Sequence, residues 1–150
     1  MERNTRHCPR ILWADDFPEI FAHAERLLLN DYEIAGFARD GEEALNLGLT
    51  LSPDILLLDL SMPILGGLEV ATRLKELGCR SKIIFVTVQD DPDCVETAFS
   101  LGASGYVLKS RIGTDLLPAI DAALSGFTFT SPFPAHGGVP ATRETLPKSR

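Results

Sequence analysis

A chain of 150 residues, 45% of them hydrophobic, is long enough for one domain whose core needs no metal or disulfide staple, and none of its apolar runs approaches the roughly 20 residues of a membrane span. The net charge is −7, with +2 in the first ten residues and +2 in the last twenty, so residues 11–130 carry −11. A body this acidic repels the phosphates of nucleic acid, so no direct nucleic-acid binding by this chain is expected, and it tolerates a divalent cation.

The first ten residues are polar and lack an apolar signal core, so no export is expected and the location is read as cytoplasmic. The first apolar run, at 10–14, ends in Asp15-Asp16. Pro18 suits the first turn of a helix in which Ile20, Phe21, Ala24, Leu27 and Leu28 repeat at helical spacing. A second strand is expected at 32–38, then a helix from Gly41 to Leu51. The third strand, 55–59, closes on Asp59, and the following helix runs from Gly67 to Leu77 with Gly78 as its stop. The fourth strand, 82–88, contains Thr87; Pro92 opens the next helix and Gly102 ends it. The fifth strand, 104–109, closes on Lys109. Thr114 is expected to cap a last helix that holds Pro118 in its first turn and stops at Gly126. Residues 131–150 hold four prolines and two glycines and read as a flexible tail; residues 1–9 read as an N-terminal extension and 10–130 as the domain.

Short runs that are almost uninterrupted apolar are what strands covered on both faces require. Five of them alternating with five helices predict an α/β fold, a doubly wound five-stranded parallel sheet in three αβα layers. Cys8, Cys79 and Cys94 are odd in number and lack CxxC spacing, so they read as reduced thiols.

In such a sheet the carboxyl ends of the strands share one edge, where ligands bind. Asp15, Asp16, Asp59, Thr87 and Lys109 converge there. A carboxylate at the end of a buried strand is costly unless a cation or hydrogen bonds compensate it, and it can also serve as a nucleophile. Asp15-Asp16 offers hard oxygen ligands of the kind Mg²⁺ takes, although an acidic pair after a strand is also an ordinary solvated turn. Thr87 and Lys109, unremarkable singly, supply together a hydroxyl and a positive charge for a phosphoryl group.

These residues resemble those of response-regulator receiver domains, the phospho-acceptor modules of two-component signalling. The resemblance rests on Asp15-Asp16, on Asp59 within LLLDLSMPILGG, on Thr87 within IIFVTVQDD, on Lys109 within GASGYVLKS and on DGEEAL at 40–45; it spans about residues 10–130. The stretch from Gly102 to Pro132 is most similar to receivers that precede a helix-turn-helix output domain. The resemblance implies a flavodoxin-like fold and a signalling switch rather than an enzyme acting on other molecules, one that catalyses its own phosphorylation and dephosphorylation. It implies that Asp59 accepts a phosphoryl group from a sensor histidine kinase, a phosphotransfer protein or a small acyl phosphate. It implies Mg²⁺ or Mn²⁺ on Asp16, Asp59 and the Ser61 backbone carbonyl, with Asp15 acting mainly through water. Thr87 and Lys109 would contact the phosphoryl group, and Tyr106 would be the aromatic that turns inward with Thr87. Ser61 and Gln89 occupy positions that tune phosphoryl lifetime. Val88 stands where alanine is frequent and is expected to narrow access, and Ser110 replaces a frequent cis proline. Homodimerisation is implied through the fourth helix, fifth strand and fifth helix, or through the first and fifth helices.

Two other classes fit less well. A Mg²⁺-dependent phosphohydrolase with an aspartyl-phosphate intermediate would place a second Asp two residues after the nucleophile, where this chain has Ser61. A flavodoxin-like small-molecule binder would place a glycine- or hydroxyl-rich loop after the first strand, where this chain has two carboxylates.

Overall fold

The computed structural model describes residues 8–132. The element order is β1 (Arg10–Ala14), α1 (Pro18–Leu28), β2 (Glu33–Ala38), α2 (Gly41–Leu51), β3 (Ile55–Leu58), α3 (Gly67–Glu76), β4 (Lys82–Thr87), α4 (Pro92–Ser100), β5 (Gly105–Leu108), α5 (Ile112–Leu124) and β6 (Phe129–Thr130). The strands form one sheet in the order β2-β1-β3-β4-β5-β6, and every pairing is parallel.

Alternation along β1 explains the layers. Leu12 and Ala14 face a core shared with Ala44 of α2, Val70 and Leu74 of α3, and Val95 and Ala98 of α4. Ile11 and Trp13 face the opposite core, built with Ala24 and Leu28 of α1 and Leu116, Ala119, Ile120 and Ala123 of α5. All four residues of β3 are fully buried, so its sequence ILLL shows no alternation. Gly78, Gly102 and Gly126 follow α3, α4 and α5 with φ of +85°, +96° and +89°, the left-handed turn that ends a helix.

The chain runs from β1 outward to β2, then crosses to β3 on the other side. The crevice beyond Ala14 and Leu58 is therefore the point at which strand order reverses. Gly67 brings α3 against this point: its amide donates to the Leu60 carbonyl at 2.9 Å, and a Cβ here would overlap the Asp59 carbonyl.

The structure corrects the expected architecture in two places. Among the described residues the sheet has six strands, because Phe129–Thr130 pairs in parallel with Gly105 and Tyr106 of β5. Two residues are too few to show a strand period. The last helix begins at Ile112, not after a cap at Thr114. A 3-10 turn, Lys109–Arg111, runs straight into it, Arg111 pairs with Asp115 one turn on, and Pro118 lies inside the helix rather than in its first turn. Residues 1–7 of the expected extension and 133–150 of the expected tail lie outside the described residues. Of the residues next to those boundaries, Pro9 accepts the Glu33 amide at 2.9 Å, and the Ser131 amide donates to the Tyr106 carbonyl at 2.8 Å.

Candidate functional site

Asp15 and Asp59 are the residues immediately beyond β1 and β3. The Asp59 amide donates to the Ala14 carbonyl at 3.0 Å, so the sheet ladder itself sets the two side by side. One carboxylate oxygen from each of Asp15, Asp16 and Asp59 lies within 4.8 Å of the others. Asp15 is fully buried, Asp59 nearly so, and Asp16 is exposed. Lys109, at the start of the 3-10 turn after β5, reaches across to both buried carboxylates. Its Nζ is 2.8 Å from Asp15 Oδ2 and 3.0 Å from Asp59 Oδ2. The second contact is a well-formed hydrogen bond; the first is an ion pair without hydrogen-bond alignment.

The other oxygen of each buried carboxylate is met by a backbone amide. Asp15 Oδ1 accepts the Phe17 amide at 2.8 Å, and Asp59 Oδ1 accepts the Ser61 amide at 3.4 Å. Burial pushes the Asp59 carboxyl above its ordinary pKa; the bond and charge of Lys109 oppose this, and the charge of Asp15 adds to it. Burial alone would lower the Lys109 ammonium, but its contacts with Asp15 and Asp59 outweigh that and hold it above the usual lysine value. The cluster is thus two buried carboxylates sharing one ammonium, with a third carboxylate open to solvent.

Thr87 ends β4 and is fully buried, and its Oγ1 accepts the Gln89 amide at 3.3 Å. Tyr106 in β5 is also fully buried, and its hydroxyl donates to the Gln89 carbonyl at 2.8 Å. The main chain of Gln89 therefore bridges Thr87 and Tyr106. The ring that was expected to turn inward already lies inward. Burial, first, and surrounding acidic groups keep its phenol protonated far above the ordinary range. Ser61, Val88 and Gln89 are exposed, Val88 at 70%. All peptide bonds of the described residues are trans, including that before Ser110.

Sequence reasoning missed four contributors. The Phe17 ring, 59% exposed, stands 5.8 Å from Lys109 Nζ, within reach of a cation–π attraction. Nothing in the sequence distinguishes it from a core aromatic. Gly67 carries a partial signal in the Gly66-Gly67 pair. Ser131 and its partner Asp115 carry none, since an isolated serine before a proline reads as a loop.

The family model for the response regulator receiver domain matches residues 11–121. The chain belongs to the response regulator receiver domain family. This receiver is 36% identical over 118 residues to the nitrate/nitrite response regulator protein NarL of Escherichia coli K12, covering 77% of the chain and 55% of that protein. It is 41% identical over 105 residues to the transcriptional regulatory protein YvfU of Bacillus subtilis, covering 70% and 52%. The chain thus spans about half the length of the curated relatives it matches. Among solved structures, a LuxR-family two-component response regulator from Aurantimonas sp. SI85-9A1 superposes with a TM-score of 0.77 at 31% identity, covering 86% of this receiver and 92% of that chain. The isolated receiver domain of RcsB from Salmonella enterica serovar Typhimurium, determined with the phosphomimetic BeF₃⁻, superposes at 0.76 with 26% identity, covering 83% and 94%. The NarL- and LuxR-type relatives agree with the resemblance read from Gly102 to Pro132. No helix among the described residues is long and apolar enough to cross a membrane.

Proposed function

We propose that this receiver is a phosphorylation switch in which Asp59 accepts a phosphoryl group from a sensor histidine kinase, a phosphotransfer protein or a small acyl phosphate. One observation carries the reading: Lys109 bridges Asp15 and Asp59 at 2.8 and 3.0 Å on the sheet edge where strand order reverses, with Asp16 beside them. A buried ammonium between carboxylates is the charge arrangement that phosphoryl transfer needs, because the transferred group's oxygens must be neutralised while a carboxylate attacks phosphorus.

The donor set fits Mg²⁺: three hard carboxylate oxygens within 4.8 Å, one of them open to solvent. Asp16 and Asp59, with the Ser61 carbonyl, would hold Mg²⁺ or Mn²⁺, and Asp15 would act mainly through water; the ion would neutralise charge on the phosphoryl oxygens. Asp59 forms the new O–P bond as the donor's bond to phosphorus breaks. Lys109 shifts from the carboxylates toward a phosphoryl oxygen, and the Thr87 hydroxyl donates a hydrogen bond to another. Gln89 links Thr87 to Tyr106, so a change at Thr87 is passed to the α4–β5 surface. Partners would read that surface, including a second copy through α4, β5 and α5 or through α1 and α5. The location would be cytoplasmic. Incubation with acetyl phosphate and Mg²⁺ is expected to add one phosphoryl mass to the wild type and none to Asp59→Asn. An unmodified wild type that also fails to bind beryllofluoride would refute the reading.

A further inference from the structure

We propose that Ser131, acting with Asp115, is a positioning residue for Lys109, so that the segment after α5 is a working part of the acceptor site. The proposal rests on the phosphorylation reading above.

Lys109 opens a three-residue 3-10 turn, and that turn is tied at both ends to one buried pair. At its entrance the Leu108 amide donates to Ser131 Oγ at 3.1 Å. At its exit Arg111 Nε donates to Asp115 Oδ2 at 2.7 Å and Nη2 to Oδ1 at 3.4 Å. Ser131 Oγ closes the circuit by donating to Asp115 Oδ2 at 2.7 Å. Thr114 Oγ1 adds a bond to Asp115 Oδ1 at 3.1 Å, and the Ser131 amide holds the Tyr106 carbonyl. Ser131 is fully buried and Asp115 5% exposed. Burial alone would raise the Asp115 carboxyl, yet the bonds from Arg111, Ser131 and Thr114 hold it below the ordinary value, so the pair is built around an ionised carboxylate. A serine hydroxyl has one hydrogen to donate and two lone pairs. Ser131 gives its hydrogen to α5 and accepts from β5, so one hydroxyl sets the spacing of the two elements that flank Lys109. The lysine must reach two acceptors from a single backbone position, which makes its contacts sensitive to that spacing.

The test compares the full chain with Ser131→Ala and Ser131→Thr in acetyl-phosphate labelling, and measures Mg²⁺ affinity by calorimetry. Ser131→Ala is expected to label about ten- to a hundred-fold more slowly. Its Mg²⁺ affinity is expected to match wild type, because no carboxylate of the cluster contacts Ser131. Ser131→Thr, which keeps the hydroxyl, is expected to label faster than Ser131→Ala. Should Ser131→Ala fail to fold by circular dichroism, Asp115→Asn carries the same expectation. A wild-type labelling rate in Ser131→Ala, or a parallel fall of rate and Mg²⁺ affinity, overturns the proposal. Failure of the wild type to label sinks the underlying reading instead.

Discussion

Replacing Lys109 by Met removes the one cation seen between Asp15 and Asp59 while keeping most of the side-chain volume. At the observed 2.8 and 3.0 Å each attraction amounts to about 5–6 kcal/mol at an effective dielectric constant near 20. Most of this is cancelled by the desolvation of three charges and by carboxylate repulsion, which at separations within 4.8 Å is at least about 3 kcal/mol. What remains after substitution is two buried carboxylates with no counter-ion. Breaking a buried pair typically costs about 3–5 kcal/mol; the solvent side of the cluster at Asp16 favours the lower end, about 3 kcal/mol. That is a large part of the roughly 5–15 kcal/mol of a domain's stability. The effect should depend on pH in a fixed sense. The Asp59 carboxyl already lies above its ordinary range through burial, and loss of Lys109 lifts it further. A raised folded-state pKa means that the folded form holds its proton more tightly than the unfolded form does. Stability is then greatest below the ordinary carboxylate pKa of about 4 and falls as pH rises through the folded value. Urea unfolding in chelator, followed by circular dichroism, should show a deficit of about 3 kcal/mol at alkaline pH that shrinks to below about 1 kcal/mol near pH 4. A deficit under about 1 kcal/mol at alkaline pH, or one equal at both pH values, would refute the reasoning.

Three further substitutions probe the elements that frame the site. Gly67→Ala forces a methyl into the Asp59 carbonyl and is expected to cost about 2–3 kcal/mol in urea unfolding and to slow acetyl-phosphate labelling; a neutral effect on both would contradict the packing described. Ile64 is 71% exposed, has φ of +74°, and spans a turn closed by the Leu65 amide on the Pro63 carbonyl at 2.7 Å, a strained conformation for a β-branched residue. Ile64→Gly should therefore raise stability by about 1 kcal/mol, strain relief exceeding the added freedom of the unfolded chain, and a loss of stability would count against it. Tyr106→Phe keeps the ring but deletes the bond to the Gln89 carbonyl, so a loss of about 1 kcal/mol is expected, with no loss meaning that the bond contributes nothing.

The parts of the molecule that were legible in the sequence are those in which burial leaves a pattern. β3 is covered on both faces, so ILLL is uninterrupted and the polar Asp59 at its end stands out. The same contrast marks Asp15 after β1, Thr87 at the end of β4 and Lys109 after β5, and the structure puts all of them on one sheet edge. The pairing of Lys109 with Asp15 is different. It depends on the reach of a side chain across the sheet between residues 94 positions apart, which no local pattern encodes. The start of α5 was misplaced because a 3-10 turn and a helix have similar local spacing, and Thr114 looked like a cap although its hydroxyl bonds to Asp115. β6 escaped because two residues give no period, and Ser131 because its importance lies in partners at 108 and 115 rather than in its neighbours.

The strand order has a consequence for how the domain comes into being. Once β1 has paired with β2 and β3, each later strand adds beside the one made just before it, from β3 through β6. Growth in that direction follows the order in which a ribosome delivers the chain. The carboxylates of Asp15 and Asp59 are delivered well before their cation at residue 109 and the hydroxyl that ties down that turn at residue 131. A domain folds as a unit, so the burial that makes these carboxylates costly is completed only once that turn is available. Ser131, the residue after β6, completes the hydrogen bonding around the turn that carries their counter-ion.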